Sequence, residues 1–480
     1  MGGARVKVRN PRTGQYDYAI APLGSDALDA LCGRLRKAQP GWAARTPEER
    51  GALLLKLANA VAAHGSAIAD ALVTDTGRRA ISDMEVAGIP AMLRRWAGTA
   101  PTIIRSTTVV GHDSATPGIA IDTHLVPYPL VGVISPWNFP LTLALIDAVP
   151  ALAAGCAVIV KPSEITPRFI RPLLAAVATV PEVAEVLAIV EGDGSTGAML
   201  VECADYIAFT GSVKTGRAVA EAAARAFIPA SLELGGKDPM IVLASAHVPT
   251  AAQTALRASI VNSGQACQSI ERVYVDRRIA EPFLAELVAA AAAVRLNYPD
   301  IRSGDIGPFI DARQADIVDA QIKDALAGGA RLLAGGQIEQ LGGGLYLRPT
   351  VLADVTADMA VMTDETFGPV IPVTLFDTVE EALALANSSV FGLSGAVFAG
   401  TDAEAVAVGR HLAVGAVSVN DAALTSMVWD AEKSSFGLSG LGPSRMGDSG
   451  ILRFFRKQSL LRQFGAPLPL AAFSEEGMDA

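Results

Sequence analysis

The chain has 480 residues, with 39 Lys+Arg against 49 Asp+Glu and a formal net charge of −10. At roughly 150 residues per domain, that length predicts two or three domains around a large buried core. The acidic balance, with no Lys/Arg run, argues against nucleic acid, whose phosphates demand clustered cations. A composition 51% hydrophobic and 18% charged excludes intrinsic disorder. The four cysteines, Cys32, Cys156, Cys203 and Cys267, form no CxxC pair and suit a reducing compartment. The five scattered histidines offer no paired metal-ligand spacing, so no metal is expected.

In chain order, Met1 to Asn10 is basic with no apolar core behind it, so no signal peptide is expected. Leu53, Leu54, Leu57, Ala58 and Val61 recur at helical spacing, and Ser82 to Trp96 continues that texture, so the first hundred residues read as helical. From Ser106 to Val126 the texture is β: Thr107 to Val110, turn residues from Gly111 to Ser114, then Ile119 to Val126 predict a hairpin, either an edge element or an arm toward another subunit. Phe139 to Val160 approaches the length of a membrane span, but Pro140, Asp147 and Pro150 interrupt it, and Ala157–Val160 reads as a strand. A soluble, cytoplasmic protein is the expectation.

Between Leu130 and Leu243, short apolar strands (Val131–Ile134, Ala157–Val160, Val186–Val190, Tyr206–Phe209) alternate with Ala-rich helical segments. That is the pattern of a parallel sheet covered on both faces. A second alternating region runs from about Arg272 to Val419, with strands at Val273–Val275, Val370–Val373, Ala396–Phe398 and Ala416–Val419, and a helix at Ala280–Leu296. Two α/β domains plus a small β element is the architecture so implied.

Four segments carry chemistry-bearing residues. In Ile134-Ser-Pro-Trp-Asn-Phe-Pro140, Asn138 is held between an aromatic and prolines; it either caps a helix or donates its amide to a developing oxyanion. In Val160-Lys-Pro-Ser-Glu164, Lys161 and Glu164 follow a buried strand, where ligands bind in open α/β sheets, or else lie in a solvated loop. Phe209-Thr-Gly-Ser212 leads a strand through a glycine turn into a helix, a cradle for pyrophosphate or an ordinary turn, while Gly192 and Gly194 form a lone GxG. Neither GxGxxG nor a Walker loop is present. Finally Glu233, Gly235 and Gly236 meet an apolar stretch, and Cys267 follows a helical run, Ala251 to Asn262, that Gly264 ends. An isolated cysteine is more often a small buried hydrophobe than a nucleophile, whereas Glu233 suits a general base.

Taken together, Pro136-Trp-Asn-Phe-Pro140, Lys161-Pro-Ser-Glu164, Phe209-Thr-Gly-Ser212, Glu233-Leu-Gly-Gly-Lys237, Gly264-Gln-Ala-Cys267 and Glu365-Thr-Phe-Gly-Pro369 resemble the aldehyde dehydrogenase superfamily, in order and approximate spacing, to about Leu461. The resemblance implies an atypical Rossmann-like dinucleotide-binding domain (1–105 and 127–236), a second α/β catalytic domain (237–440), and a small β oligomerisation arm and tail (106–126 and 441–480). It implies that Cys267 is the nucleophile, Glu233 the base for the deacylating water, and Asn138, with the backbone N–H of Cys267, the oxyanion hole. The cofactor is NAD, with NADP possible: Lys161 and Glu164 on the adenosine ribose, Ser212 on the pyrophosphate, Glu365 on the nicotinamide ribose and Phe367 near the nicotinamide. Ser135, Pro136, Trp137, Ser163, Gly194, Phe209, Thr210, Gly211, Leu234 and Gly235 complete the implied cofactor site. Departures are His124, where relatives often carry Arg or Lys, and the tail Gly440 to Gly447, which lacks the commoner Gly-Arg pattern.

The implied reaction oxidises an aldehyde to the carboxylic acid through a thiohemiacetal and a thioester on Cys267, hydrolysed by water that Glu233 activates. The alternatives are a CoA-acylating or reductive relative on the same fold, or a non-enzymatic scaffold derived from it; an intact Glu233, Cys267 and Asn138 argues against both. An entrance lined by Trp96, Leu143, Ile146, Leu424 and Thr425 suggests medium aliphatic or aromatic aldehydes. The hairpin and the stretch Ser459 to Phe464 suggest a homodimer or homotetramer.

Overall fold

Five-residue runs without an exposed side chain, such as Leu130–Ile134 and Ala157–Lys161, are stable only where helices cover both faces of a parallel sheet. The computed structural model describes residues 5–475; the first four residues of the basic N-terminal stretch, and the outer ends of the ranges 1–105 and 441–480, lie outside them. Those runs form the centre of a six-stranded sheet in the order Gly440–Leu441, Ala230–Glu233, Tyr206–Thr210, Leu130–Ile134, Ala157–Lys161, Leu187–Ile189. All its neighbours are parallel except Gly440–Leu441, which runs antiparallel to Ala230–Glu233 and brings the C-terminal segment back to this sheet. From Leu130–Ile134 the chain steps outward to Leu187–Ile189, then returns to the other side. The resulting switch point leaves a crevice at the carboxyl ends of the strands.

Four N-terminal helices, Ser25–Ala43, Pro47–Ala63, Gly65–Thr76 and Arg79–Thr107, share a core with this sheet. Thr46 and Glu49 form a reciprocal capping box at the start of Pro47–Ala63. A second sheet of seven strands has the order Arg331–Ala334, Thr350–Ala353, Val370–Phe376, Ile270–Asp276, Asp238–Val242, Ser394–Phe398, Ala416–Val419, parallel apart from its first strand. Helices Val248–Ile260 and Ala280–Ala293 pack on it. A third sheet joins His112–Asp113, Ile119–Pro127 and Phe455–Gln463, the last two paired antiparallel over nine residue pairs from Phe455↔Pro127 to Gln463↔Ile119.

The structure corrects several expectations. The first hundred residues are not purely helical: Val6–Arg9 and Tyr16–Ile20 form an antiparallel pair. Thr107 to Val110 is no strand. The helix runs on through Thr107, and the hydroxyls of Ser106, Thr107 and Thr108 donate back to the Ile103 and Ile104 carbonyls. Such local bonds compete with strand pairing, so of the expected first hairpin strand and turn only His112–Asp113 forms a ladder with Ile119–Pro127. The helix from Ala280 ends at Ala293 rather than Leu296. Phe139 to Val160 becomes two short helices, Pro140–Leu145 and Ala148–Ala154, and a central strand inside the protein. Among the described residues no single helix is long and apolar enough to cross a membrane. Trp96 lies in the first core, 4% exposed with the Arg95 guanidinium 4.6 Å over its ring, so it is not an entrance wall.

Candidate active site

The dinucleotide-type residues collect at the carboxyl edge of the first sheet because each follows a parallel strand: Ser135 to Asn138, Lys161 to Glu164, and Thr210 to Ser212. Lys161, 4% exposed, places its Nζ 3.4 Å from Glu164 Oε2. The Ser163 hydroxyl accepts from the Ile165 amide at 3.2 Å and fixes that loop. Gly211 sits against the Phe209 ring, where a Cβ would come within 2.6 Å. The Ser212 hydroxyl caps helix Val213–Ala226, accepting from the Thr215 amide at 3.3 Å, so the anion-attracting feature there is the helix N-terminus as much as the hydroxyl. Gly194 opens helix Gly194–Cys203 behind the Asp193 cap, and open space faces it. Ser135 Oγ and Thr196 Oγ1 are buried with no hydrogen-bond partner. Buried hydroxyls of this kind are normally satisfied, so two orphaned ones in this edge fit a polar ligand such as a dinucleotide.

Cys267 reaches the same edge from the other side. After helix Val248–Ile260 the chain turns through three consecutive left-handed residues, Asn262 (φ 55°), Ser263 (φ 57°) and Gly264 (φ 73°). Non-glycine residues there are strained and persist only where their surroundings over-determine them. The surroundings here are specific. Asn262 Nδ2 donates to the Asn138 carbonyl at 2.8 Å and to the Gln265 carbonyl at 3.1 Å, while fully buried Arg78 donates to Asn262 Oδ1 at 2.9 Å. Asn138 Nδ2 donates to the Gln265 carbonyl at 3.1 Å. A primary amide carries two N–H donors, so the second is free for an oxyanion. Asn138 is therefore tied directly to the loop that presents Cys267.

Glycines set the spacing of the other walls. A Cβ on Gly236 would lie 2.3 Å from the Cys267 carbonyl, and one on Gly235 2.6 Å from Glu365 Oε2. Gly264 backs onto Gly368 at 2.2 Å by the same measure. The Gly236 amide donates to Glu365 Oε1 at 3.1 Å. Phe367, itself left-handed at φ 53°, meets Trp137 edge-on with centroids 5.5 Å apart. Glu233 ends its strand with Oε2 accepting from the Ser435 hydroxyl at 3.2 Å.

The electrostatics of the site are acidic. Burial first, then the carboxylates of Glu365, Asp238 and Glu233, push the Cys267 thiol up to about 12, with Lys433 pulling the other way. Burial and the neighbouring Glu271 carboxylate push Glu365 up to about 8.

Several residues that complete this arrangement were not singled out in the sequence: Arg78, Asn262, Gln265, Lys237 and Glu271. Lys237 Nζ donates to Glu271 Oε2 and to Thr366 Oγ1, both at 2.8 Å, with both charged groups buried. Glu271 in turn accepts the amides of Thr366 and Phe367 at 2.8 Å, which fixes the loop that carries Glu365. Lys237→Met leaves that carboxylate buried and unpaired, so it should destabilise the fold by about 3–5 kcal/mol. Denaturant unfolding checks this; a loss below about 1 kcal/mol would show that the pair does not hold the loop.

The model of the aldehyde dehydrogenase family matches residues 2–460. A Mycolicibacterium smegmatis protein named "Putative succinate-semialdehyde dehydrogenase", of the NADP(+) type, is 36% identical over 92% of this chain and 86% of its own. The solved structure titled "Putative Aldehyde Dehydrogenase PutA" from Anabaena variabilis has a TM-score of 0.95 at 50% identity, covering 97% of this chain and 99% of that one. Lactaldehyde dehydrogenase from Escherichia coli has a TM-score of 0.91 at 30% identity, covering 96% of each chain. With the six motifs converging on one crevice, the chain belongs to the aldehyde dehydrogenase family and is an NAD(P)-dependent enzyme of aldehyde oxidation.

Proposed function

We propose that Cys267, Asn138 and Glu233 carry this chemistry. The observation that supports it is the bonding of Asn138 into the strained Asn262–Gly264 turn, with Gly236 pressed against the Cys267 carbonyl. Cys267 Sγ, as thiolate, attacks the aldehyde carbon, and the free N–H of Asn138 meets the charge growing on oxygen. Removal of one such donor typically costs about 2.7–4 kcal/mol of barrier. When bound, NAD(P)+ supplies a cationic ring and the acceptor that takes the Cys267 adduct to the thioester level. Lys161, Glu164, Ser135, the helix N-terminus at Ser212, and Glu365 would hold it. Glu233 then takes a proton from water, and the hydroxide adds to the thioester carbon. The C–S bond breaks to release the acid, and the proton held by Glu233 passes to the leaving Cys267 sulfur, restoring the thiol and the base.

The two stages separate by mutation. Cys267→Ala should retain NAD binding and lose turnover to below about a tenth of wild type. Glu233→Gln should give one burst of NADH per site followed by slow turnover in rapid mixing. A burst and steady rate that fall together would remove Glu233 from the deacylation role.

For the cofactor we propose a preference for NAD over NADP. Glu164 suits two ribose hydroxyls and repels a 2′-phosphate, while Lys161 at 3.4 Å softens that repulsion. Glu164→Ser should raise kcat/KM with NADP relative to NAD. An unchanged ratio, or a wild type equally efficient with NADP, would contradict the assignment.

For the substrate we propose a medium aliphatic or aromatic aldehyde. Thr425 Oγ1 donates to Gln268 Oε1 at 2.7 Å beside the nucleophile, and the chain runs on through the exposed apolar side chains Met427, Val428 and Trp429. The name of the M. smegmatis relative points instead to succinate semialdehyde, and a panel of aldehydes compared by kcat/KM separates the two. Four free thiols support a cytoplasmic, reducing setting.

For the assembly we propose at least a dimer through the third sheet. Leu460, Leu461, Phe464, Leu468, Leu470 and Phe473 are 49–87% exposed along and beyond strand Phe455–Gln463, an apolar row that a second copy would cover. Deletion from Ile451 is not a clean test, because Ile451 and Phe454 belong to the first core. Leu461→Asp with Phe464→Asp should instead lower the mass seen in light scattering. A wild-type mass near 50 kDa, or an unchanged mass in the variant, would contradict the interface.

A further inference from the structure

Arg445 lies in the C-terminal segment that returns to the first sheet through the pairing of Gly440 with Glu233. It is buried, Nη2 makes two hydrogen bonds and Nε makes none. Nη2 donates to Asp147 Oδ2 at 3.0 Å and also to Thr210 Oγ1. Asp147, wholly buried, is shared with Arg453. Nε is buried without a hydrogen-bond partner and lies 3.9 Å from Glu233 Oε1. The other oxygen of Glu233 already rests on Ser435 Oγ at 3.2 Å.

A guanidinium stays charged when buried, and each of its N–H groups needs an acceptor. For Arg445 Nε the Glu233 carboxylate is the acceptor within ion-pair distance. Asp147 and Thr210 fix the plane of the guanidinium from behind, so the donor direction is set before the carboxylate arrives. Asp147 also balances the charge, with Arg445 and Arg453 against Asp147 and Glu233. Nothing in the scheme above uses Arg445, Asp147 or Ser435.

We propose that Arg445, aimed by Asp147 and Thr210, is the positioning residue for Glu233: with Ser435 it orients the carboxylate toward the water that opens the thioester. This rests on the reading of Glu233 as the deacylation base. Arg445 acts through Glu233 and touches no reacting atom, so its loss should slow deacylation and spare acylation.

The test is rapid-mixing NADH formation with Arg445→Met and Arg445→Lys, alongside wild type and Glu233→Gln, with NAD affinity measured by fluorescence. Arg445→Met should keep the burst and the NAD affinity within about twofold, while the steady rate falls about tenfold or more, the scale of a charge-assisted hydrogen bond. Arg445→Lys keeps a cation for Asp147 and so guards against failure to fold. A single ammonium cannot serve Asp147 and Glu233 with two fixed donors, so its steady rate should also fall, by less, with the burst intact. A wild-type steady rate in Arg445→Lys or in Arg445→Met overturns the proposal. So does a burst that falls in step with the steady rate in the folded variants, which marks a merely structural role. If Glu233→Gln itself shows no burst followed by slow turnover, the reading of Glu233 has failed and this inference falls with it; a normal Glu233→Gln result beside unaffected Arg445 variants rejects this inference alone.

Discussion

A thiol set among carboxylates is the constraint from which the rest of the site follows. Cys267 faces Glu365, Asp238 and Glu233, with Lys433 as the opposing charge, and desolvation adds the largest push toward the neutral form. A thiol so placed is quiet at rest, since the thiolate is the reactive form of cysteine. Ionisation of that thiol is favoured by positive charge or hydrogen-bond donors brought close to it. Burial, with the same acidity behind it, displaces the Glu365 carboxyl to about 8, and the buried Glu271 is matched by Lys237.

Backbone strain keeps these groups in register. Asn262, Ser263 and Phe367 hold left-handed conformations within two loops that touch through Gly264 and Gly368. Each strained residue costs on the order of 1–3 kcal/mol, offset by buried polar bonds: Arg78 to Asn262, Asn262 to Asn138, and Glu271 to the amides of Thr366 and Phe367. The two α/β units thus meet through hydrogen-bonded loops, which bring Cys267 beside the strand-end residues of the first sheet.

Much of this was legible in the sequence. Parallel strands announced themselves as uninterrupted apolar runs, because burial on both faces leaves no room for polar alternation, and the motif residues at their carboxyl ends followed. The buried charge partners were not legible. Asp147 pairs with Arg445 298 positions away, and Arg78 meets Asn262 across 184; no local pattern marks such contacts. Asp147 entered the sequence reading only as an interruption of an apolar run, whereas it is a buried counter-ion for two arginines. The N-terminal strand pair escaped because Val6–Arg9 and Tyr16–Ile20 are short and mixed in polarity. The Ser106–Thr108 segment misled because β-branched residues there serve as hydroxyl donors to a helix end.

The claim that Cys267 rests as a neutral thiol in an acidic pocket is tested most directly by alkylating it in the free enzyme with iodoacetamide across a pH series, with Cys267→Ala as the blank for the other three thiols. A thiol pushed up to about 12 ionises further with each pH step below that value, so the rate should climb about tenfold per pH unit through at least pH ~9.5 without levelling. A rate that reaches its plateau by about pH 8 would mean a thiolate already formed at rest, and would contradict the account.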